Sequence, residues 1–115
     1  MAMTEPRGAI VVRGSEAEWR PLQVAGISIK LLRDGKDSGE STFLLRFQAG
    51  ARFPAHNHPA GEQVFVLEGD VLIGRDRLKA GDFLYTPPNG THAVSSDAGC
   101  LLLVTLPKPI EILMH

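Results

Sequence analysis

The chain is short of cysteine, of long apolar runs and of any charge imbalance. Cys100 is the one cysteine in 115 residues. No disulfide can therefore close within a chain, which excludes a disulfide-stapled secreted scaffold and fits a reducing compartment. Cys100 stands in the apolar run GCLLLVTL. A buried small hydrophobe is the plain reading of it, and a redox role is the sharper one. Twelve Lys and Arg face thirteen Asp and Glu, for a formal net charge of -1, and the basic residues form no run. No global field draws the chain to nucleic acid or to an anionic membrane. The longest apolar run, Leu101 to Leu106, is interrupted by Thr105 and is far below the ~20 residues of a spanning helix. The N-terminal MAMTEPRGAIVVRG lacks the apolar core of a signal peptide. No membrane segment, no nucleic-acid partner and a cytoplasmic location are the expectations. Between Gly8 and Pro107 there is also no long window of helical periodicity, which excludes a helix bundle.

What is present is punctuation. Twelve glycines and eight prolines cut the chain into short runs rich in β-formers. One domain is expected over residues 1–115, with its barrel at about 19–106. Strands are expected at Ala9–Arg13, Ala25–Arg33, Ser41–Gln48, Phe53–His58, Glu62–Glu68, Val71–Gly74, Arg77–Lys79, Asp82–Thr86, His92–Ser96 and Cys100–Leu106. Ser15 to Trp19 suits one helical turn. Gly69-Asp70 reads as the tight turn of a hairpin, and Pro88-Asn89-Gly90 as a loop turn. Many short strands at this spacing point to an all-β sandwich or barrel. The tail after Pro107 is either an added edge strand or loose.

The chemistry is concentrated in GARFPAHNHPAGEQVFVLEG, residues 50 to 69. His56 and His58 are two apart, so on a strand they share a face. Two imidazoles on one face with a carboxylate nearby can chelate one ion. A lone histidine is more often a hydrogen-bonded structural residue, and a strand-start Glu is usually solvated. The combination argues otherwise. Glu62 opens a strand that is otherwise apolar, and if even positions face inward it enters the interior with Val64 and Val66. A buried carboxylate there needs a partner. Gln63 then faces out. His92 opens another strand and shares its face with Val94.

The spacing of Gly50, His56, His58, Glu62 and Gly69 resembles the first motif of the cupin superfamily at every position. Gly81, Pro87 and His92 resemble its second motif. Asn89 stands where that motif has Gly, and Ser96 where it has Asn. Asn89 is a mild change, because Asn tolerates left-handed turns; Ser96 alters a structural side chain, not a ligand. Over about residues 17 to 106, WRP, LLRFQAGARFPAHNHPAGEQVFVLEG and TPPNGTHAVSSDAGCLLLV are similar to the cupins of anti-sigma factor ChrR and of acetylacetone-dioxygenase-like proteins. The resemblance implies a double-stranded β-helix, the jelly-roll barrel or sandwich. It implies His56, His58, Glu62 and His92 as ligands of a divalent transition ion: Fe, Mn, Ni, Zn or Cu.

Four ligands would leave open positions for a small-molecule substrate or ligand. The expected pocket is small and mostly apolar, walled by Val64, Val66, Val94 and residues of the Phe43–Phe47 strand. Arg46 would bind an anionic substrate if it pointed in, and Tyr85 would donate a hydrogen bond near the metal; a solvent-facing Arg and a structural Tyr are the plainer readings. A dioxygenase-type enzyme is one expected function. A sensory or regulatory module is a second, although only eighteen residues precede Trp19 and none is Cys or His. A non-oxidative isomerase or decarboxylase is the third. A homodimer is expected, paired through Ala9–Arg13 or the tail Ile110–Met114.

Overall fold

Alternating buried and exposed side chains along most strands set the architecture. The structure is a computed structural model that describes residues 8–113. Ten strands are present and, among the described residues, no helix. They are β1 (Trp19–Pro21), β2 (Ile27–Arg33), β3 (Ser41–Phe47), β4 (Arg52–His58), β5 (Glu62–Ile73), β6 (Asp76–Lys79), β7 (Phe83–Thr86), β8 (Gly90–Ser95), β9 (Cys100–Leu106) and β10 (Glu111–Ile112). All pairings are antiparallel. The strand order is β1-β2-β3-β9-β5-β8-β4-β10, with β6 and β7 also paired to β5. This is the all-β, curled sheet that the run of short strands implies.

Strand β5 joins the two halves. Its first part pairs β7 and β9, and its last residues pair β6 and β8. Here the expected hairpin at Gly69-Asp70 is corrected. The strand continues through Gly69 without reversing, and the reversal comes later, where Ile73 pairs with Asp76. The physical reason lies in Gly69. The register shifts between Val66 and Glu68, Gly69 has φ +76°, and the carbonyl of Gly99 occupies the space a Cβ would need. The glycine serves a bend between sheets rather than a turn between strands.

The inner faces carry Ile27, Phe43, Phe47, Val64, Val66, Val71, Ile73, Val94, Leu102, Val104 and Leu106, all buried. Val66 and Val104 are sealed from solvent at 0% and 1% exposure, each contributing about 1.5–3 kcal/mol of burial. Cys100 is buried and free, and burial pushes its thiol up, so the plain reading of it stands.

One terminal expectation changes, and one of the two alternatives for the tail is met. Residues 9–13 form no strand. A single turn does follow, beginning at Arg13, whose carbonyl accepts from the amides of Glu16 and Ala17. The tail becomes β10, paired to its own chain's β4; Met114 lies outside the described residues.

Candidate metal centre

The histidines are brought together by register, not by sequence proximity alone. On β4, residues 56 and 58 project to one side. Across the β4–β8 ladder His56 pairs with His92, and His58 with Gly90. The ring centroids of His56 lie 4.5 Å from those of His58 and 5.0 Å from those of His92, and His58 lies 4.4 Å from His92. One nitrogen from each ring falls within 4.8 Å of the others. Three donors held at about 2.1 Å from one ion stand about 3.0 to 3.6 Å apart. The rings would therefore draw in by up to about 1.8 Å to seat all three on one ion.

Backbone carbonyls fix the rings. Pro54 sits where the β4 register shifts, a place for a residue with no N–H to offer. Its carbonyl lies 2.7 Å from His56 Nδ1. The carbonyl of Gly90 lies 2.9 Å from His58 Nδ1. A carbonyl can only accept, so both Nδ1 atoms carry the proton and, in the neutral rings, the Nε2 atoms present bare lone pairs. This is the usual way a ligand histidine is oriented.

Glu62 opens β5 opposite Thr86 and is 8% exposed. Its Oε1 lies 3.2 Å from His58 Nε2 and 3.5 Å from His92 Nε2. Both contacts are out of line for a ring hydrogen bond, and both nitrogens are buried without a partner. Bare lone pairs facing a carboxylate repel one another unless a cation stands between them. The donor set therefore fits a divalent transition ion. Burial pushes the Glu62 carboxyl up, but the close His58 and His92 imidazoles outweigh it and hold it down at about 2. Burial pulls His58 down, and Glu62 outweighs that too, leaving His58 raised. Burial holds His56 down, with His58 and His92 adding to the effect against the Pro54 carbonyl.

The centre opens on a cavity of about 510 Å³, within the usual range for small-ligand sites. His56 and Glu62 line it, with Phe43, Leu45 and Phe47 of β3 and Val64 and Val94 beside them. The parity of β5 and β8 is thus as the sequence implies, and Gln63 is exposed. Val66 is buried but does not reach the cavity wall. Arg46 and Tyr85 are not brought to the site. Arg46 is exposed and lies over the Trp19 ring, 5.0 Å from its centroid. Tyr85 is 58% exposed on the outer face of β7, because its neighbours Leu84 and Thr86 take the inward positions. Leu22, Val24, Pro109, Ile110 and Ile112 also line the cavity. No motif marks these residues; only their apolar character, between prolines, hinted at burial.

Fold and donor set together define a cupin with a three-histidine site suited to a metal ion. The family model of the ChrR Cupin-like domain matches residues 7–108, and the chain belongs to that family. A curated relative, the DNA damage-repair/toleration protein DRT102 of Arabidopsis thaliana, is 32% identical over 84 residues, covering 67% of this chain and 26% of that protein. The chain thus spans about a quarter of that relative's length. Among solved structures, an acetylacetone dioxygenase from Acinetobacter johnsonii matches with a TM-score of 0.82 at 14% identity, over 99% of this chain and 83% of that one. The anti-sigma factor ChrR of Rhodobacter sphaeroides, solved in complex with SigE, matches with a TM-score of 0.70 at 26% identity, over 82% of this chain and 50% of that one.

Proposed function

We propose that the chain is a metal-dependent enzyme of dioxygenase type, acting on a small organic substrate, with His56, His58, His92 and Glu62 as the metal ligands. The observation that carries this is the pair of buried, unpartnered Nε2 atoms of His58 and His92 facing Glu62, which with His56 lines an apolar cavity. A bound divalent ion would supply Lewis acidity and sites for an oxygen-donor substrate and dioxygen. The protein's own groups do the rest. Pro54 and Gly90 hold His56 and His58 in the ligating tautomer. Glu62 contributes the one negative charge. Phe43, Leu45 and Phe47 exclude water from the bound substrate. The likeness to acetylacetone dioxygenase supports the architecture for such chemistry. The test is metal content followed by oxygen uptake: protein loaded anaerobically with Fe(II), given a panel of small diketones, hydroxy acids and phenols, consumes oxygen in a substrate-dependent way. Oxygen uptake no faster than that of a His58→Ala variant across the panel would remove the enzymatic reading.

A second reading is a sensory or regulatory cupin in which the metal reports a bound small molecule. The ChrR family membership favours it. Recovery of a transcription factor at one-to-one stoichiometry in a pull-down is its expected signature. The outer face of β5 and β7 exposes Phe65, Leu67, Phe83 and Tyr85, which supports a homodimer; a monomeric mass by light scattering at micromolar concentration would remove that reading.

A further inference from the structure

The cavity wall contains no cation. Among the described residues that line it, the polar side chains are Gln23, Ser41, His56 and Glu62, and none is Lys or Arg. The basic residues near the barrel are held outside. Lys30 Nζ reaches the carbonyl of Gly14 at 2.7 Å and lies over Trp19. Arg46 lies over the same ring, and Arg52 is exposed. Of the strands that wall the cavity, only β2, β3 and β4 carry Lys or Arg, and none of these side chains lines it.

Charge counting at the centre gives the complement. This step rests on the proposed ligand set. A divalent ion with three neutral imidazoles and one carboxylate keeps a single positive charge. One anionic oxygen head neutralises it. A second anionic group on the ligand would lie against Leu45, Phe53, Leu102 and Val104, with no cation to pair it.

We infer that the cavity selects ligands with one chelating, at most singly anionic oxygen head and an uncharged apolar body, and rejects those with a second anionic group. Dicarboxylates, oxo-dicarboxylates and phosphorylated compounds are excluded as substrates. Uncharged-bodied enolisable ketones, phenols and short monocarboxylates are admitted. Gln23, exposed on the loop at the mouth, is the position from which a cation would most readily change this preference.

Acetylacetone and succinylacetone share a chelating head, and succinylacetone adds a carboxymethyl group; heptane-2,4-dione, with the same carbon chain and no carboxylate, is the length control and is expected to bind like acetylacetone. Binding of each is titrated calorimetrically to Zn(II)-loaded protein, and again to metal-free protein, where burial alone discriminates. Acetylacetone is expected to bind at least about tenfold tighter in both, and Gln23→Lys is expected to narrow that gap. Succinylacetone binding as tightly as acetylacetone, neither ligand binding, or a gap unchanged in Gln23→Lys overturns the inference. Oxygen uptake is a separate readout. A protein that prefers acetylacetone and consumes no oxygen keeps this inference and loses the dioxygenase reading. One that consumes oxygen and prefers succinylacetone does the reverse. Failure to take up Zn(II) removes the metal assignment, while the metal-free titration still reads the charge preference.

Discussion

His58 Nδ1 donates to the carbonyl of Gly90 across the β4–β8 ladder at 2.9 Å. The bond ties a residue of the first motif to the turn that delivers His92 from the second. It leaves His58 Nε2 aimed at Glu62 with no hydrogen-bond partner. On the proposed assignment, His58→Ala removes a ligand and an anchored ring together. Bound metal should fall from one equivalent per chain to a small fraction, read by elemental mass spectrometry of untagged protein. Glu62→Gln keeps the shape and deletes the charge, so affinity should drop by about tenfold or more. Full metal occupancy in His58→Ala would show that the ion sits elsewhere.

Protons compete for the same atoms. The Glu62 carboxyl stands at about 2 against an ordinary 4.5. A depressed carboxyl stabilises the fold above its unfolded value, and that benefit is lost as pH falls from 4.5 toward 2. His58 is raised above 6.5, so its contribution is whole below 6.5 and lost as pH rises through the raised value. In metal-free protein the pair therefore stabilises most between 4.5 and 6.5. A metal ion must displace the His58 proton. The gain in melting temperature on adding Zn(II) should grow from about pH 5 to about pH 8. A gain that is flat across that range would mean that no proton leaves.

Two glycines of the first motif differ in what they do. Gly50 has φ +84° with open space where a Cβ would go, whereas Gly69 has φ +76° and the Gly99 carbonyl in that space. Gly50→Ala should cost about 1–2 kcal/mol, the left-handed penalty alone. Gly69→Ala adds a clash with backbone that cannot swing aside, and should cost clearly more. Urea midpoints compare them directly, and equal losses would show that β5 can straighten at its crossing point.

Ser96, at the position where the cupin motif has Asn, is 2% exposed. Its hydroxyl donates to the carbonyl of Asp70 at 2.6 Å, and its backbone pairs with Gly50 and Ala51. The shorter side chain still ties the β8 end to the β5 crossing. Ser96→Ala should cost about 1–3 kcal/mol by leaving that carbonyl unpaired, with metal affinity unchanged. A large loss of metal would mean that this bond positions the ligands as well as the fold.

The strands and the histidines were legible because period-two burial and ligand spacing are local properties. Cys100–Leu106 is found with its expected bounds, and the inward parity of Glu62, Val64 and Val94 follows from counting. Gly69 belongs to a crossing rather than a hairpin, and a turn glycine and a crossing glycine look alike in sequence; only the remote Gly99 carbonyl separates them. The directions of Arg46 and Tyr85 are not local properties either. On β3 both parities are apolar apart from Arg46, so the inward face was set by the partner strands and by Trp19, which holds Arg46 outside. The carbonyls of Pro54 and Gly90 carry no side-chain signature at all, yet they decide which nitrogen each histidine presents.

The tail was the least legible segment, and it covers the cavity. Pro109, Ile110 and Ile112 line the cavity, and Ile112 pairs with His56 in the ladder. Two side attachments hold it: Asn57 Nδ2 donates to Glu111 Oε1 at 2.8 Å, and the Leu113 amide donates to the Ala55 carbonyl at 3.1 Å. A two-residue edge strand contributes little on its own. A chain ending at Lys108 should therefore fold and keep its metal, while exposing apolar wall that an environment-sensitive dye can enter. Asn57→Ala, which removes one attachment, should shift dye binding in the same direction by a smaller amount. If the shortened chain binds no more dye than the full one, the barrel is closed by β1, β2 and the Leu22–Val24 loop alone, and the tail is only an added edge.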